Sequence, residues 1–487
     1  MHKTYVRELK PYSLGELSER LGILPSEVKS LVEQLMMWGI IRYRVGTSDG
    51  EYSGDDEEAT PDELYQFRFV GLVMVRDVVI VSYPKYFRDR EPNNDELGLI
   101  MRVLKRDGGF AISSRLDDGG ERADDRLPVM LALLELYGEY GEYSNYVEGR
   151  EVNGGGTIDW NRTIGEHLPI LSDGRPVYTE FETRKTLRDE SDYITRLHRA
   201  VLTECSRELH DAGVGGLLSL DEVWLSDEDV DDFGDAEALE WRLNRERASQ
   251  FADWKLLTLD LLERYLLGRD SEIRDEEVKT LGTTSFYHLW ELACGVAFGN
   301  ALGTRLSNLG IELKNEWIER KHDTLLGIIP RPQWERVSGE GYIGCGVVDT
   351  LIPDTVSFSV DDQGRKVFCI YDAKYYVPSR SGKMEHQPGL ESVTKQFLYQ
   401  SAYKNFIETH EFDSVVNAFL VPSESQELVK LSRVSFSEVM GKTSQPLSDF
   451  IDMWALPAGR VFEAYLDDER IDNGEFEVIW NRAKDNG

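Results

Sequence analysis

Cysteine is scarce in this chain and never paired at ligand spacing. The four residues Cys205, Cys294, Cys345 and Cys369 stand far apart, which excludes a disulfide framework and a cysteine-based structural zinc site. Cys345 and Cys369 flank apolar strand residues and read as small core residues. No apolar run approaches the roughly eighteen residues a membrane-spanning helix needs. Met1-His2-Lys3-Thr4 leads straight into mixed polar sequence without a secretory pattern, so a cytoplasmic protein is expected. A Gly-x-x-x-x-Gly-Lys-Ser/Thr phosphate loop is also missing, so the chain is not itself a nucleotide-driven motor of that type. Basic excess is absent too: 55 Lys and Arg face 89 Asp and Glu, a net charge of −34. Phosphate attraction supplies much of the affinity of a DNA-binding protein. Such a role therefore needs local clustering of basic side chains or a partner that grips the DNA. The acidic blocks Asp55-Asp56-Glu57-Glu58 and Asp227-Glu228-Asp229-Val230-Asp231-Asp232 read as solvated loops.

With 487 residues, 41% hydrophobic and 30% charged, the chain is globular and too long for one ordinary core, so about two to four domains are expected. From 12 to 45, Leu14, Leu17 and Leu21 keep helical spacing, Gly22 breaks the helix and Pro25-Ser26-Glu27 starts another. There Val28, Leu31, Val32 and Leu35 form one apolar face. Gly39 ends it, and Ile40-Ile41-Arg42-Tyr43-Arg44 reads as a strand. This order resembles a winged-helix module, but the second helix offers only Lys29 as a basic residue, so no base contacts are assigned to it. From Gln66 the texture becomes β-rich, with strands from Phe67 to Val75 and from Val78 to Val81 around Arg76-Asp77, followed by Tyr83-Pro84-Lys85-Tyr86-Phe87. Between about 190 and 275 the pattern is helical, with segments at Tyr193 to Leu202 and Phe251 to Leu267 separated by the acidic loop at 226 to 238. His198 and Arg199 read as helix-surface residues.

The stretch from Val347 to Lys404 carries the chemistry. After Val347-Val348, a run from Thr350 to Phe358 containing Pro353-Asp354 crosses the turn Asp361-Asp362-Gln363-Gly364-Arg365 and returns from Lys366 to Tyr376, a hairpin signal. Side chains alternate along a strand, so Asp372 and Lys374 point one way and Ala373 the other. Asp354 can then meet Asp372 across the sheet. Two converging carboxylates beside an ammonium repel unless a divalent cation sits between them. A hard cation with oxygen ligands, Mg²⁺, fits Asp354, Asp372 and the carbonyl of Ala373. Lys374 would orient or deprotonate a bound water and offset charge growing on a phosphate under in-line attack. In the apolar segment from Ser285 to Phe298, Glu291 is a lone carboxylate that should face water or a metal. Glu312, Glu316 and Glu319 compete with it.

Pro-Asp followed after strand, turn and strand by Asp-x-Lys resembles the PD-(D/E)XK nuclease motif. The helix expected from Ser392 to Lys404 is similar to the Gln-and-Tyr helix that follows this motif, and Val415 to Pro422 supplies a further buried strand. What the resemblance implies is a role for Gln396 and Tyr399, three apart on one helical face, in hydrogen bonding near the scissile phosphate. The reading from the residues alone keeps Tyr399 as core and Gln396 as surface. The hairpin ending in Pro-Lys-Tyr, the segment Trp160-Asn161-Arg162-Thr163 and Pro176-Val177-Tyr178 resemble McrC-like restriction subunits, especially the LlaJI-type family, which also has a Trp-Glu pair at Trp290-Glu291. The resemblance implies Glu291 as third metal ligand or support. It also implies a restriction system in which a separate McrB-like AAA+ GTPase works in trans on the same DNA, with room for a cognate DNA methyltransferase.

The expectation is an α/β and α+β multidomain chain: a winged-helix-like unit at 1–60, a β-rich, partner-contacting McrC-like region at 61–180, a helical region at 181–275 and a PD-(D/E)XK core at 276–487. The expected function is a Mg²⁺-dependent DNA endonuclease subunit. A non-catalytic adaptor that stimulates the GTPase, and a standalone nuclease, stay open as alternatives. Leu428 to Phe436 suggests a short peripheral element, and the tail from Pro446 shows no chemical motif.

Overall fold

The structure, a computed structural model, describes residues 1–44, 64–109, 126–267, 278–338, 341–345, 349–361, 363–378, 387–471 and 479. The expectations for Asp55 to Glu58, Val347-Val348 and Asp362, and the side chain of Cys345, lie outside the described residues. The chain is a mixed α/β protein that divides into two compact units, one of 1–2, 73–79 and 115–280, the other of 3–72, 80–114 and 281–487.

The first unit is a helical assembly with small sheets. Helices Arg126–Tyr140, Tyr193–Asp211, Ala236–Arg247 and Asp253–Leu267 pack on one another. Strands Tyr146–Val152, Glu182–Arg188 and Thr157–Ile158 form a three-stranded sheet with Glu182–Arg188 in the middle. Two readings are corrected here. His198 is a core residue, 1% exposed, because it lies on the inward stripe with Ile194, Leu197 and Val201 of a 19-residue helix. The acidic stretch at 226 to 238 is not simply loop. Val230–Phe233 makes a 3-10 turn that buries Val230 and Phe233, Glu228 pairs with Arg196, and Asp235 caps a further helix by accepting from the Ala238 N–H at 2.9 Å. Asp and Asn favour such caps because their side chains satisfy the free N–H groups of the first turn.

In the second unit the N-terminal elements follow the expected order. Ser13 and Glu16 form a reciprocal capping box at Leu14–Leu21, and Gly22 closes that helix at φ 66°. Pro25–Met37 follows, burying Val28, Leu31, Val32 and Leu35. Strands Pro11–Ser13, Leu64–Phe67 and Ile41–Arg44 make a three-stranded sheet with Leu64–Phe67 central. The expected hairpin is present as Val70–Val75 and Val78–Tyr83, every residue buried, with 73–79 counted in the first unit. The stretch expected to be β-rich also holds helix Asn94–Gly109 and, in the first unit, Arg126–Tyr140.

The largest sheet of the second unit has five strands, in the order Thr355–Val360, Lys366–Ala373, Ser414–Ser423, Phe450–Pro457, Val429–Ser435. The first pair is antiparallel and the next two pairings are parallel, with helix Leu390–Thr409 as the crossover between Lys366–Ala373 and Ser414–Ser423. Parallel neighbours need such a crossover and bury both faces, and Ser414–Ser423 accordingly is buried from its second residue on. The tail, for which the sequence offered no chemical motif, supplies a strand of this sheet. Phe450–Pro457 is inserted between Ser414–Ser423 and Val429–Ser435, and helix Ala458–Asp467 follows it and packs on helix Phe286–Ala297. The Leu428 to Phe436 element is the sheet's edge strand, where Arg433 and Lys430 both pair with the buried Asp452.

Candidate active site

Register brings the two aspartates together. Thr355 lies opposite Tyr371 in the antiparallel pair, and one step further along each strand are Asp354 and Asp372. The Ala373 N–H donates to Asp354 Oδ2 at 2.9 Å, and the two carboxyl groups are close enough to share a hydrogen bond. Lys374, on the same side as Asp372 by strand alternation, places Nζ 2.7 Å from Asp372 Oδ2. Asp354, Asp372 and Lys374 therefore form one cluster at the end of strand Lys366–Ala373. Their shared side follows from the two-residue period of the strand, a property of the local sequence.

The electrostatics of the cluster are those of crowded like charges. Burial, and then the Asp354 charge, push the Asp372 carboxyl up to about 7, against the partial relief given by Lys374. Asp354 is also raised, chiefly by burial, with Glu291 adding to the rise. For Lys374, burial works against the ammonium, but the Asp372 and Asp354 charges outweigh it and leave its value above the usual one. One ammonium does not neutralise two carboxylates, so the donor set favours an added cation, and a hard divalent ion with oxygen ligands suits it. Among the described residues no three His, Cys, Asp or Glu side chains gather tightly enough to hold a metal by themselves. The two aspartates would share the ion with main-chain oxygen and solvent.

The other expected residues take different places. Glu291, on helix Phe286–Ala297, is one-third exposed and 3.5 Å from His288 Nδ1, near enough to influence Asp354. Tyr399 is buried in the core with Tyr403, Phe406 and Phe368. Burial, followed by the charges of Asp372 and Asp354, pushes its phenol up to about 12, so its ring lies within reach of their field. Gln396 is a core residue, not a surface one, being fully buried. Its amide donates to the carbonyls of Ile370 at 3.3 Å and Ala418 at 3.4 Å, tying the helix to two adjacent strands.

Two supporting contacts were not legible in the sequence. Asn300 donates to the Asp354 carbonyl at 3.0 Å and accepts from the Val356 N–H at 3.3 Å, clamping the chain on both sides of Thr355. Trp290, fully buried, donates its indole N–H to the Leu420 carbonyl at 3.1 Å, the acceptor that also takes the Lys374 N–H at 2.9 Å. The sequence signals were the Trp290-Glu291 pair that the family resemblance picks out and the position of Asn300 after Gly299 at a helix end.

A multidomain α/β chain with this cluster falls among the restriction endonucleases: residues 69–440 match the model of the LlaJI restriction endonuclease family, and the chain belongs to that family. A particular relative is the BsuMI type II restriction enzyme component YdjA of Bacillus subtilis (strain 168), 26% identical over 424 residues that cover 83% of this chain and 81% of the relative. Among solved structures, the chain is similar to a half-complex from the assembly of Thermococcus gammatolerans McrB AAA+ hexamers with bound McrC. That likeness has 13% identity, a TM-score of 0.35, and coverage of 96% of this chain and 99% of that one. A cryo-EM structure of the McrBC complex of the same organism matches at 13% identity and a TM-score of 0.25, covering 59% of this chain and 84% of that one. No helix among the described residues is long and apolar enough to cross a membrane.

Proposed function

We propose that the chain is the Mg²⁺-dependent DNA-cleaving subunit of a restriction system and that 276–487 is a PD-(D/E)XK nuclease domain. The observation that carries this is the convergence of Asp354, Asp372 and Lys374 at the mouth of a strand, strand, helix, strand core. Asp354, Asp372 and the Ala373 carbonyl would hold Mg²⁺, with Glu291 as outer support. When bound, the ion supplies Lewis acidity toward a phosphate oxygen and toward the attacking water. Asp372 holds the Lys374 ammonium in place, and Lys374 orients the water and offsets charge that grows on the phosphate. Gln396 acts from beneath by fixing the strands that present Asp372, and Tyr399 closes the apolar side of the cluster.

The remaining regions are assigned by the same reading. Residues 1–60 are assigned to a winged-helix-like unit, of which 1–44 are described, 61–180 to the contact with the partner and 181–275 to a helical linker region that also carries strand Glu182–Arg188. The segment from 146 to 188 exposes Leu168 at 95%, Leu171 at 73%, Tyr146 at 64% and Ile164 at 59%. Clustered apolar exposure of that kind marks an interaction face. The partner proposed for it is a McrB-like AAA+ GTPase acting in trans, which would also supply DNA affinity that a chain of net charge −34 lacks. In a cleavage assay with the partner, GTP, Mg²⁺ and cognate DNA, the wild-type chain is expected to cut and Asp372→Ala to be inert while folding normally. Wild-type cleavage by Asp372→Ala would overturn the assignment.

A further inference from the structure

The motif Tyr83-Pro84-Lys85-Tyr86 and the residue after Lys374 meet in one buried contact within the second unit. Tyr375, 7% exposed, donates its hydroxyl to the carboxylate of Glu8, itself 7% exposed. The Lys85 main-chain N–H donates to the same Glu8 oxygen at 3.1 Å and to the Tyr375 hydroxyl at 3.2 Å. The Lys85 ammonium lies 4.7 Å from the centroid of the Tyr375 ring, and Phe286 packs 5.4 Å from it. Phe286 begins the helix that carries Trp290 and Glu291. The Glu8 N–H in turn donates to the Tyr83 carbonyl at 2.9 Å.

The regular strand ends at Ala373, so beyond it few ladder bonds restrain Lys374. Its own N–H is held by Leu420, and the next side chain along, Tyr375, is held by Glu8 and Lys85. A carboxylate buried beside a hairpin end, accepting from both a phenol and a main-chain N–H, is a charge-assisted anchor of the stronger kind. A site that depends on one ammonium being correctly placed is sensitive to displacements of about 1 Å, which can cost on the order of a hundredfold in rate.

We propose that Glu8, Tyr375 and the main chain of Lys85 form a latch that sets the position of Lys374. Glu8 and Tyr375 are positioning residues, and the 83–87 segment is a point from which the nuclease site is governed. This rests on the nuclease reading above. In the full chain with its partner, Tyr375→Phe and Glu8→Gln are each expected to lower the single-turnover cleavage rate about tenfold. DNA affinity should stay at the wild-type value, the melting temperature should fall by only a few degrees with the chain folded at the assay temperature, and the double variant should be no slower than the worse single one, as for residues that act as one unit. Amide hydrogen exchange across 374–378, measured without DNA or metal, is expected to speed up in both variants. Unchanged exchange, or a rate loss no greater than the loss of folded protein, overturns the latch. Asp372→Asn, assayed alongside, separates the two levels. If it cuts like wild type the nuclease reading has failed, and the exchange measurement still decides whether Glu8 and Tyr375 hold the chain at Lys374.

Discussion

His198 in the helical unit and Asp372 in the sheet unit are both ionisable groups taken out of water, and burial drives each toward its neutral form. For His198, burial and then the Arg199 charge push the imidazole down to about 3. For Asp372, burial and then the Asp354 charge push the carboxyl up to about 7. The surroundings differ. His198 Nδ1 accepts the Tyr143 N–H at 3.0 Å within a helical core, and Tyr143 packs edge-on to its ring. Asp372 has a second carboxylate in contact and an ammonium 2.7 Å away. A shifted pKa is thus shared by a packing residue and by the residue proposed as catalytic. What sets Asp372 apart is like charge held together at a strand end, an arrangement that folding alone does not favour.

The largest expected effect breaks the Asp372 side of this contrast. Asp372→Asn should lower the cleavage rate by about a thousandfold or more, as for loss of a group that organises transition-state charge, and circular dichroism should show an unchanged fold. The next test uses opposite pH slopes. The folded-state value of Asp372 lies above its ordinary 3.8, so its contribution to stability is complete below about 4 and is lost as pH rises through about 7. In metal-free buffer, melting temperatures of wild type relative to Asp372→Asn should fall over that window, and millimolar Mg²⁺ should restore them. If Mg²⁺ raises both proteins equally, Asp372 does not bind the ion.

His198 gives the reverse sign. Its folded-state value lies below its ordinary 6.5, so its contribution is complete above about 6.5 and is lost as pH falls toward about 3. His198→Gln should flatten the acid side of the stability profile, measured by urea unfolding between pH 4 and 7, and leave cleavage per folded molecule unchanged. A loss of activity there would erase the contrast. The smallest effect concerns Asn300, whose side chain is exposed although it clamps Asp354. Asn300→Ala should cost about 1 kcal/mol of stability or less, with a several-fold drop in cleavage from a loosened Asp354 visible in single-turnover kinetics.

The site was legible where geometry is local. Strand alternation placed Asp372 and Lys374 on one side, and the hairpin around Gly364 set Asp354 opposite Asp372, so two runs and a turn sufficed. Helix spacing likewise gave Leu14–Leu21, Pro25–Met37 and Phe286–Ala297 within a residue or two of their observed ends. The reading weakened wherever partners are distant in sequence. Gln396 was expected to hydrogen-bond near the scissile phosphate, with a surface position as the alternative, and only the two strand carbonyls beneath it show why its amide is buried. The acidic stretch at 226 to 238 hid a turn and a helix cap, because Asp serves caps and solvated loops equally well.

By itself the sequence determined the hairpin of the candidate site, the face that Asp372 and Lys374 share, and the helix caps, because covalent geometry and periods of two and 3.6 residues act over a few neighbours. Only the tertiary structure decided that Phe450–Pro457 lies between Ser414–Ser423 and Val429–Ser435, that Trp290 and Lys374 meet at one carbonyl, and that Glu8 reaches Tyr375. Those pairings join segments tens to hundreds of residues apart, and they are chosen by which surfaces exclude water together, a competition among whole elements that no local pattern records.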